Sequence, residues 1–446
     1  MSEIIRGKKD GLMLFLIFGL SIYTTALSVT FMLGFKSLII YFQAFKELSI
    51  FLILGYSIWN LKTRIRLHYI DYMIIAFLGY TVIYALLPIG EQAFVNRVMA
   101  LKTLSFFAVV YFCGRLFKPK EIYLSKYFHY ILFLSIAAAV VLLSEMITNQ
   151  HLQTRTGYSD YNFYLFNFEP SGNYGLTWTF ESEGGYKRFA SFFANPLEFG
   201  SATIIAISVL AALYTSDDYK LKLDNFGYLA LSASLFSIIF ALSRSAFVSY
   251  FILVYIYSLL TKRKYIINTI HICGVLVIVY IIYLFAKEQD QNDGLQMVIV
   301  GTLNFSNPSS VGHVVEWVEG ALAIASSPLG LGLGTSGRIG GTLGGNIGGE
   351  NQYIIIGVQA GIIALLLYLA VYICLIKEGM KWFYRLEGKE KKICLVIVLI
   401  RIGFIIPSLT SEIETSAYTS YLMWFLSGLF VSMISTKVAV KKTTQN

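Results

Sequence analysis

The sequence predicts an all-α polytopic membrane protein with about twelve transmembrane helices, both termini cytoplasmic and two large outer-face loops. Three observations carry this expectation. Hydrophobic residues fill 56% of the 446 positions and charged residues only 14%, at a mean hydropathy of +0.66. A surface facing water needs about 25% charged residues. Apolar runs long enough to cross a bilayer, about 18 residues or more, recur along the whole chain. Helices satisfy their own backbone groups in lipid, and the alternating segments of a membrane β-barrel are missing. Finally, about two-thirds of the 35 Lys and Arg residues fall in every second connection between those runs. The positive-inside rule places those connections and both termini in the cytoplasm. The net charge of +9 therefore reports topology and excludes nucleic acid as its explanation.

The elements follow in order. The run 11–32 comes after Arg6, Lys8 and Lys9 and is too long for a signal-peptide core, so it reads as a retained signal-anchor helix. Runs 45–61, 69–87, 99–117 and 126–147 complete an N-terminal group of five within 1–147. An outer loop, 148–195, mixes Tyr, Phe and Trp with Asp, Glu, Asn and Ser. Helices at 196–214, 225–242, 246–260 and 266–285 make a second group within 196–285. A larger outer loop, 286–350, carries an amphipathic helix and a glycine-rich ribbon. Helices at 351–376, 394–409 and 418–436 and a basic cytoplasmic tail close the chain within 351–446. Cys113, Cys273, Cys374 and Cys394 lie singly in or beside apolar runs and read as small packing residues, without zinc or disulfide spacing.

Long ordered loops on one face of a membrane protein usually carry its function. Aromatics beside amides and carboxylates suit sugars, which present apolar C–H faces and a rim of hydroxyls; the plainer reading is an interfacial aromatic belt. In "VGHVVEWVEGALAIAS", Val314, Val315, Val318, Ala321 and Ile324 share a helical face, with His313, Glu316 and Glu319 elsewhere on the turn. This reads as an amphipathic helix at the outer surface. Arg188 precedes a helix start interrupted at Asn195-Pro196, and Arg244 sits in "ALSRSAFVSY" between two runs. A guanidinium at this boundary offers a fork for phosphate oxygens, or snorkels to headgroups. Arg401, mid-run, costs about 3 kcal/mol or more unless it finds a carboxylate or helix carbonyls.

The ribbon "LGLGLGTSGRIGGTLGGNIGGE" lacks the Lys-Ser/Thr ending of a Walker A loop and the strand that precedes a dinucleotide fingerprint. What remains is a backbone able to approach a bulky substrate and offer amide N–H groups to an anion, with Arg338 inside it. Glu350 closes it as either a cap of the next helix or a general base.

Four stretches in order resemble the bacterial O-antigen ligase and O-antigen polymerase superfamily: "RFASFFANPLEFGSA", "ALSRSAFVSYFI", "HVVEWVEGALAIASSPLGLGLG" and "ENQYIIIGVQAGIIALLLYL". The resemblance covers about residues 180–380 and implies a GT-C-like membrane glycosyltransferase with its site on the outer face of the bacterial cytoplasmic membrane. Its substrates would be oligosaccharides on undecaprenyl diphosphate, with no cofactor and no metal. Membrane lipids, and a chain-length regulator and flippase of the same pathway, would be its partners. On this reading Arg188, Glu350 and His313 are the catalytic candidates, with Arg188 also binding the diphosphate. The same reading adds Arg244, Arg338, Asn195, Asn351, Tyr353 and Trp317 as contacts to diphosphate and sugar. Two positions depart from the pattern: His313 stands where many members have arginine, and Glu350 where ligases have histidine. The second departure favours the polymerase branch, making O-antigen, capsule or exopolysaccharide. A ligase moving finished chains, or a lipid-linked oligosaccharide flippase, are the alternatives.

Overall fold

The computed structural model describes residues 10–60, 65–117, 122–182, 185–286, 300–301, 304 and 308–443. All regular structure among them is helical apart from three isolated bridges. The first part of the second loop, from Lys287 to Ile299, and the basic residues Arg6, Lys8, Lys9, Lys62, Arg64, Lys118 and Lys120 lie outside the described residues.

Every apolar segment read from the sequence is helical. The first is a pair, Gly11–Gly19 (α1) and Tyr23–Met32 (α2), bent by 68°. Then come α3 (Lys36–Trp59), α4 (Tyr69–Leu86), α5 (Phe94–Leu116) and α6 (Leu124–Thr148). The first loop holds two short helices, α7 (Leu152–Arg155) and α8 (Tyr158–Phe166). It is followed by α9 (Pro196–Tyr214), α10 (Asn225–Phe240), α11 (Arg244–Leu260) and α12 (Lys264–Ala286). The second loop contributes α13 (Pro308–Ser326) and α14 (Gly337–Thr342). The chain ends in α15 (Gln352–Phe383), α16 (Gly388–Gly403), the short α17 (Pro407–Thr410) and α18 (Ala417–Thr443). Among the described residues nine helices are long and apolar enough to cross a membrane, or ten with the bent pair; α10 and α11 are shorter apolar helices.

Burial sorts these helices. In α18 every residue of the apolar window is buried and in α9 89% are, so these two form the centre; in α12 only 6% are, so it stands at the rim. The centre is tight because glycine lets backbones touch. A Cβ on Gly428 would lie 2.0 Å from the Tyr111 carbonyl oxygen, and one on Gly114 would lie 2.0 Å from that of Phe425. Helix α5 and helix α18 therefore cross with almost no side chain between them.

Connections alternate between two ends of the bundle. One end carries the buried pair Arg115–Asp71 (3.0 Å), with Lys391 and Lys392 donating to the carbonyls of Asp217 and Leu213. We call it the basic end. The other end gathers both large loops and the starts of α9, α11, α15 and α18.

Candidate functional site

The glycine ribbon explains itself first, because it repairs a broken helix. Gly361 interrupts α15 with φ 78°, a left-handed value that glycine adopts freely. The chain from Pro328 to Gly334 fills the break. Ile362 N donates to Pro328 O (2.8 Å), Leu331 N to Val358 O (2.7 Å) and Gly332 N to Gln359 O (3.2 Å). The buried Gln359 side chain accepts from Gly334 N (2.8 Å) and donates to Ser336 O (3.1 Å). A Cβ on Gly330 would lie 2.6 Å from Gly361 N, so this crossing admits glycine alone. The amides of Leu331, Gly332 and Gly334 are thus engaged inside the protein. That corrects the expectation that this part of the ribbon offers its N–H groups to an anion.

Beyond the crossing, Arg338 is the second residue of the short α14. Its backbone N–H donates to Glu412 (2.8 Å), and its guanidinium carbon lies 4.4 Å from the Phe166 ring centroid and 5.9 Å from that of Phe168. Arg338 therefore joins the two large loops. Burial pushes the Glu412 carboxyl up to about 7, against the pull of the Arg338 N–H and charge.

Glu350 ends the ribbon. The helix cap is the next residue: Asn351 Oδ1 accepts from Tyr353 N (3.0 Å) and Ile354 N (3.2 Å). The cap reading of Glu350 thus passes to Asn351. Burial raises the Glu350 carboxyl above the usual carboxylate range; the charge of His313 lowers it, Glu316 raises it, and Arg338 and Arg188 lower it. Its side chain is nonetheless reachable by solvent. The carboxyl is thus crowded by protein yet exposed, and we call the loop-side end around it the vestibule. Three of the sequence-derived candidates, His313, Arg338 and Arg188, therefore act electrostatically on the fourth.

His313 and Glu316 come from α13, with Nδ1 and Oε2 3.7 Å apart, and the His313 ring faces Trp317 at 6.3 Å and 27°. Trp317 Nε1 is buried without a hydrogen-bond partner among the described residues. The Glu316 carboxylate packs so closely on Gly349 that a Cβ there would lie 2.0 Å from Oε2. The opposite face of α13 exposes Val311, Val315, Val318 and Leu322. Its apolar stripe is rotated from the one read in sequence, since Ile324 turns inward against Gly357. The helix thus exposes an apolar stripe, while His313 and Glu316 are half-buried and Glu319 is exposed.

Arg188 follows the bridge Glu181–Lys187; its N–H donates to Phe180 O (2.9 Å) and its Nε to Ala241 O (3.4 Å). Arg244, first residue of α11, donates to Ser310 Oγ at the start of α13 (3.4 Å). Asn195 caps α9, its Oδ1 accepting from Glu198 N (2.9 Å). Tyr353 turns inward, its hydroxyl 3.5 Å from Ile405 O. The carbonyl oxygens of both asparagines therefore position helices. Arg401 is fully buried and meets no carboxylate among the described residues; Trp424, Tyr372 and Ser427 surround it instead.

Sequence reasoning missed Glu412 and a triad on the same side of the bundle, Lys46, Glu47 and Lys102. Glu47 Oε1 lies 3.7 Å from Lys46 Nζ and 3.3 Å from Lys102 Nζ. Their polarity was itself the signal, since charge inside an apolar run marks a site. Chemically, the vestibule offers guanidinium groups for an oxyanion and a carboxylate disposed to take up a proton. No protein-family model matches the chain, and no curated protein matches it.

Proposed function

We propose that this chain is a membrane glycosyltransferase that polymerises undecaprenyl-diphosphate-linked oligosaccharide repeats into a surface polysaccharide on the outer face of the bacterial cytoplasmic membrane. The observation that carries this reading is that Arg338 ties the two large loops together, through Glu412 and the Phe166 ring, with Arg188 and His313 also within electrostatic reach of the exposed Glu350. The positive-inside rule supports the orientation, because the vestibule lies at the end opposite the basic one.

In this reaction the growing glycan leaves its lipid at the anomeric carbon. The C–O bond to the diphosphate breaks, and the lipid diphosphate departs with the electron pair. Arg188 and Arg338 neutralise that developing charge. A hydroxyl oxygen of the incoming repeat forms the new bond at the anomeric carbon, and its proton passes to Glu350. His313 orients the acceptor beside Trp317, whose ring offers a face for a sugar.

Purified protein reconstituted with lipid-linked repeats tests the proposal. Wild type should lengthen the glycan, and Arg188→Ala should leave single repeats while the protein remains in the membrane. Normal elongation by Arg188→Ala removes Arg188 from the mechanism. Repeats that cross the bilayer without lengthening replace this reading with transport.

A further inference from the structure

A polymerising reaction joins two lipid-borne substrates and so needs two places for a diphosphate; this inference rests on the reading above. The vestibule around Glu350 supplies one. A second cationic group lies on α3 and α5. Lys46 is ten residues inside α3 and Lys102 eight residues inside α5, about 15 and 12 Å from their vestibule-side ends at 1.5 Å per residue. Charge at such a level is costly and marks function by default.

The triad is not self-neutralising. Glu47 serves both lysines, at 3.7 and 3.3 Å, which leaves one cation in surplus. The Lys46 and Glu47 side chains are 18% and 16% exposed, while that of Lys102 is 55% exposed. Beside them Lys46 Nζ lies 4.7 Å from the Tyr23 ring centroid, and the Tyr23 hydroxyl is buried with no hydrogen-bond partner among the described residues. Tyr23 begins the second half of the pair bent by 68°, so the bend lies beside the triad. A surplus cation, an unused hydroxyl and an exposed lysine together fit a phosphate oxyanion.

We propose that Lys46 and Lys102 form a second diphosphate-binding station, which holds the lipid-borne acceptor while Arg188 and Arg338 hold the donor. Lysine suits this role as a compact point charge on a flexible stem.

Counting polyprenyl diphosphate molecules bound per chain, in nanodiscs and without sugar, tests this apart from turnover. Wild type should bind two and K46Q/K102Q one, with the affinity of the lost site down at least about tenfold; K46R/K102R should restore both. Glu47→Gln should tighten binding several-fold, because the competing carboxylate is gone. The proposal fails if K46Q/K102Q keeps both lipids. It also fails if Glu47→Gln weakens binding as much as the lysine changes do, the behaviour of a purely structural ion triad. Inorganic pyrophosphate as a separate probe distinguishes the source: lysine-dependent binding of pyrophosphate alone overturns a lipid-borne ligand. Two bound lipids, one of them lysine-dependent, without any elongation would sink the polymerase reading and leave the station standing. Normal elongation with unchanged binding in K46Q/K102Q would sink the station alone.

Discussion

The guanidinium carbon of Arg401 lies 3.8 Å from the ring centroid of Trp424, and the same indole donates its Nε1–H to Glu414 at 2.9 and 3.0 Å. One aromatic ring thus stands between a buried cation and a buried carboxylate. Its electron-rich face answers the first and its polar edge the second. Trp424→Ala should therefore destabilise the protein by about 3–5 kcal/mol, through both the cavity and the stranded charges. Arg401→Met, which removes the cation and keeps the volume, should cost far less, within about 1.5 kcal/mol. Thermal unfolding in detergent separates the two, and equal losses would refute the arrangement.

Glu350 as proton acceptor predicts a pH profile. The reactive form is the carboxylate, so kcat should fall as pH drops through its pKa. That limb should lie above the ordinary carboxylate value of 4.5, because burial raises the group. Glu350→Gln should lower kcat by about 10²–10⁴-fold and abolish the limb. A surviving limb would assign the base elsewhere.

Glu412 makes a stability prediction of definite sign. Its carboxyl titrates near 7 in the folded protein against an ordinary 4.5, so the folded state holds the extra proton between those values. Stability from this group is fully present below 4.5 and is lost as pH rises toward and through 7. Glu412→Gln should flatten that dependence, read as Tm against pH. A slope unchanged in the variant would assign it to other groups.

The contact of α5 with α18 has no room for side chains, since a Cβ on Gly428 would fall 2.0 Å from the Tyr111 carbonyl. Gly428→Leu should cost more than about 3 kcal/mol and remove folded protein from the membrane fraction, while Gly274→Leu, on the outer α12 with open space around it, should be neutral. Comparable yields for both variants would show that the two helices separate more easily than this crossing implies.

The helical segments were legible because long apolar stretches admit few alternatives, and boundaries failed where polarity entered. The reading began α3 at 45 because Lys36 and Gln43 depress hydropathy before it, yet the backbone is helical from Lys36. Helix α5 begins at Phe94, earlier than the expected 99, for the same reason: Asn96 and Arg97 lie in its first turns. Arg188 and Arg338 were legible as basic residues scarce on that face, and His313 and Glu350 by their places in the amphipathic helix and at the end of the ribbon; that the first three act on Glu350 is a fact of folding. Lys46 and Lys102 meet from helices separated by a full crossing of the bundle, a pairing that no local pattern encodes. The partner of Arg401 was unreadable because an aromatic face serves a buried cation as well as the expected carboxylate does.

The repair of α15 at Gly361 has a mechanical consequence. Four hydrogen bonds, from Leu331, Gly332, Gly334 and Ile362, fasten the ribbon to both halves of the broken helix. The glycine-rich segment is therefore a fixed part of the bundle. Any widening of this end falls to α13, which meets the fixed part through glycines at Gly320, Gly348 and Gly349.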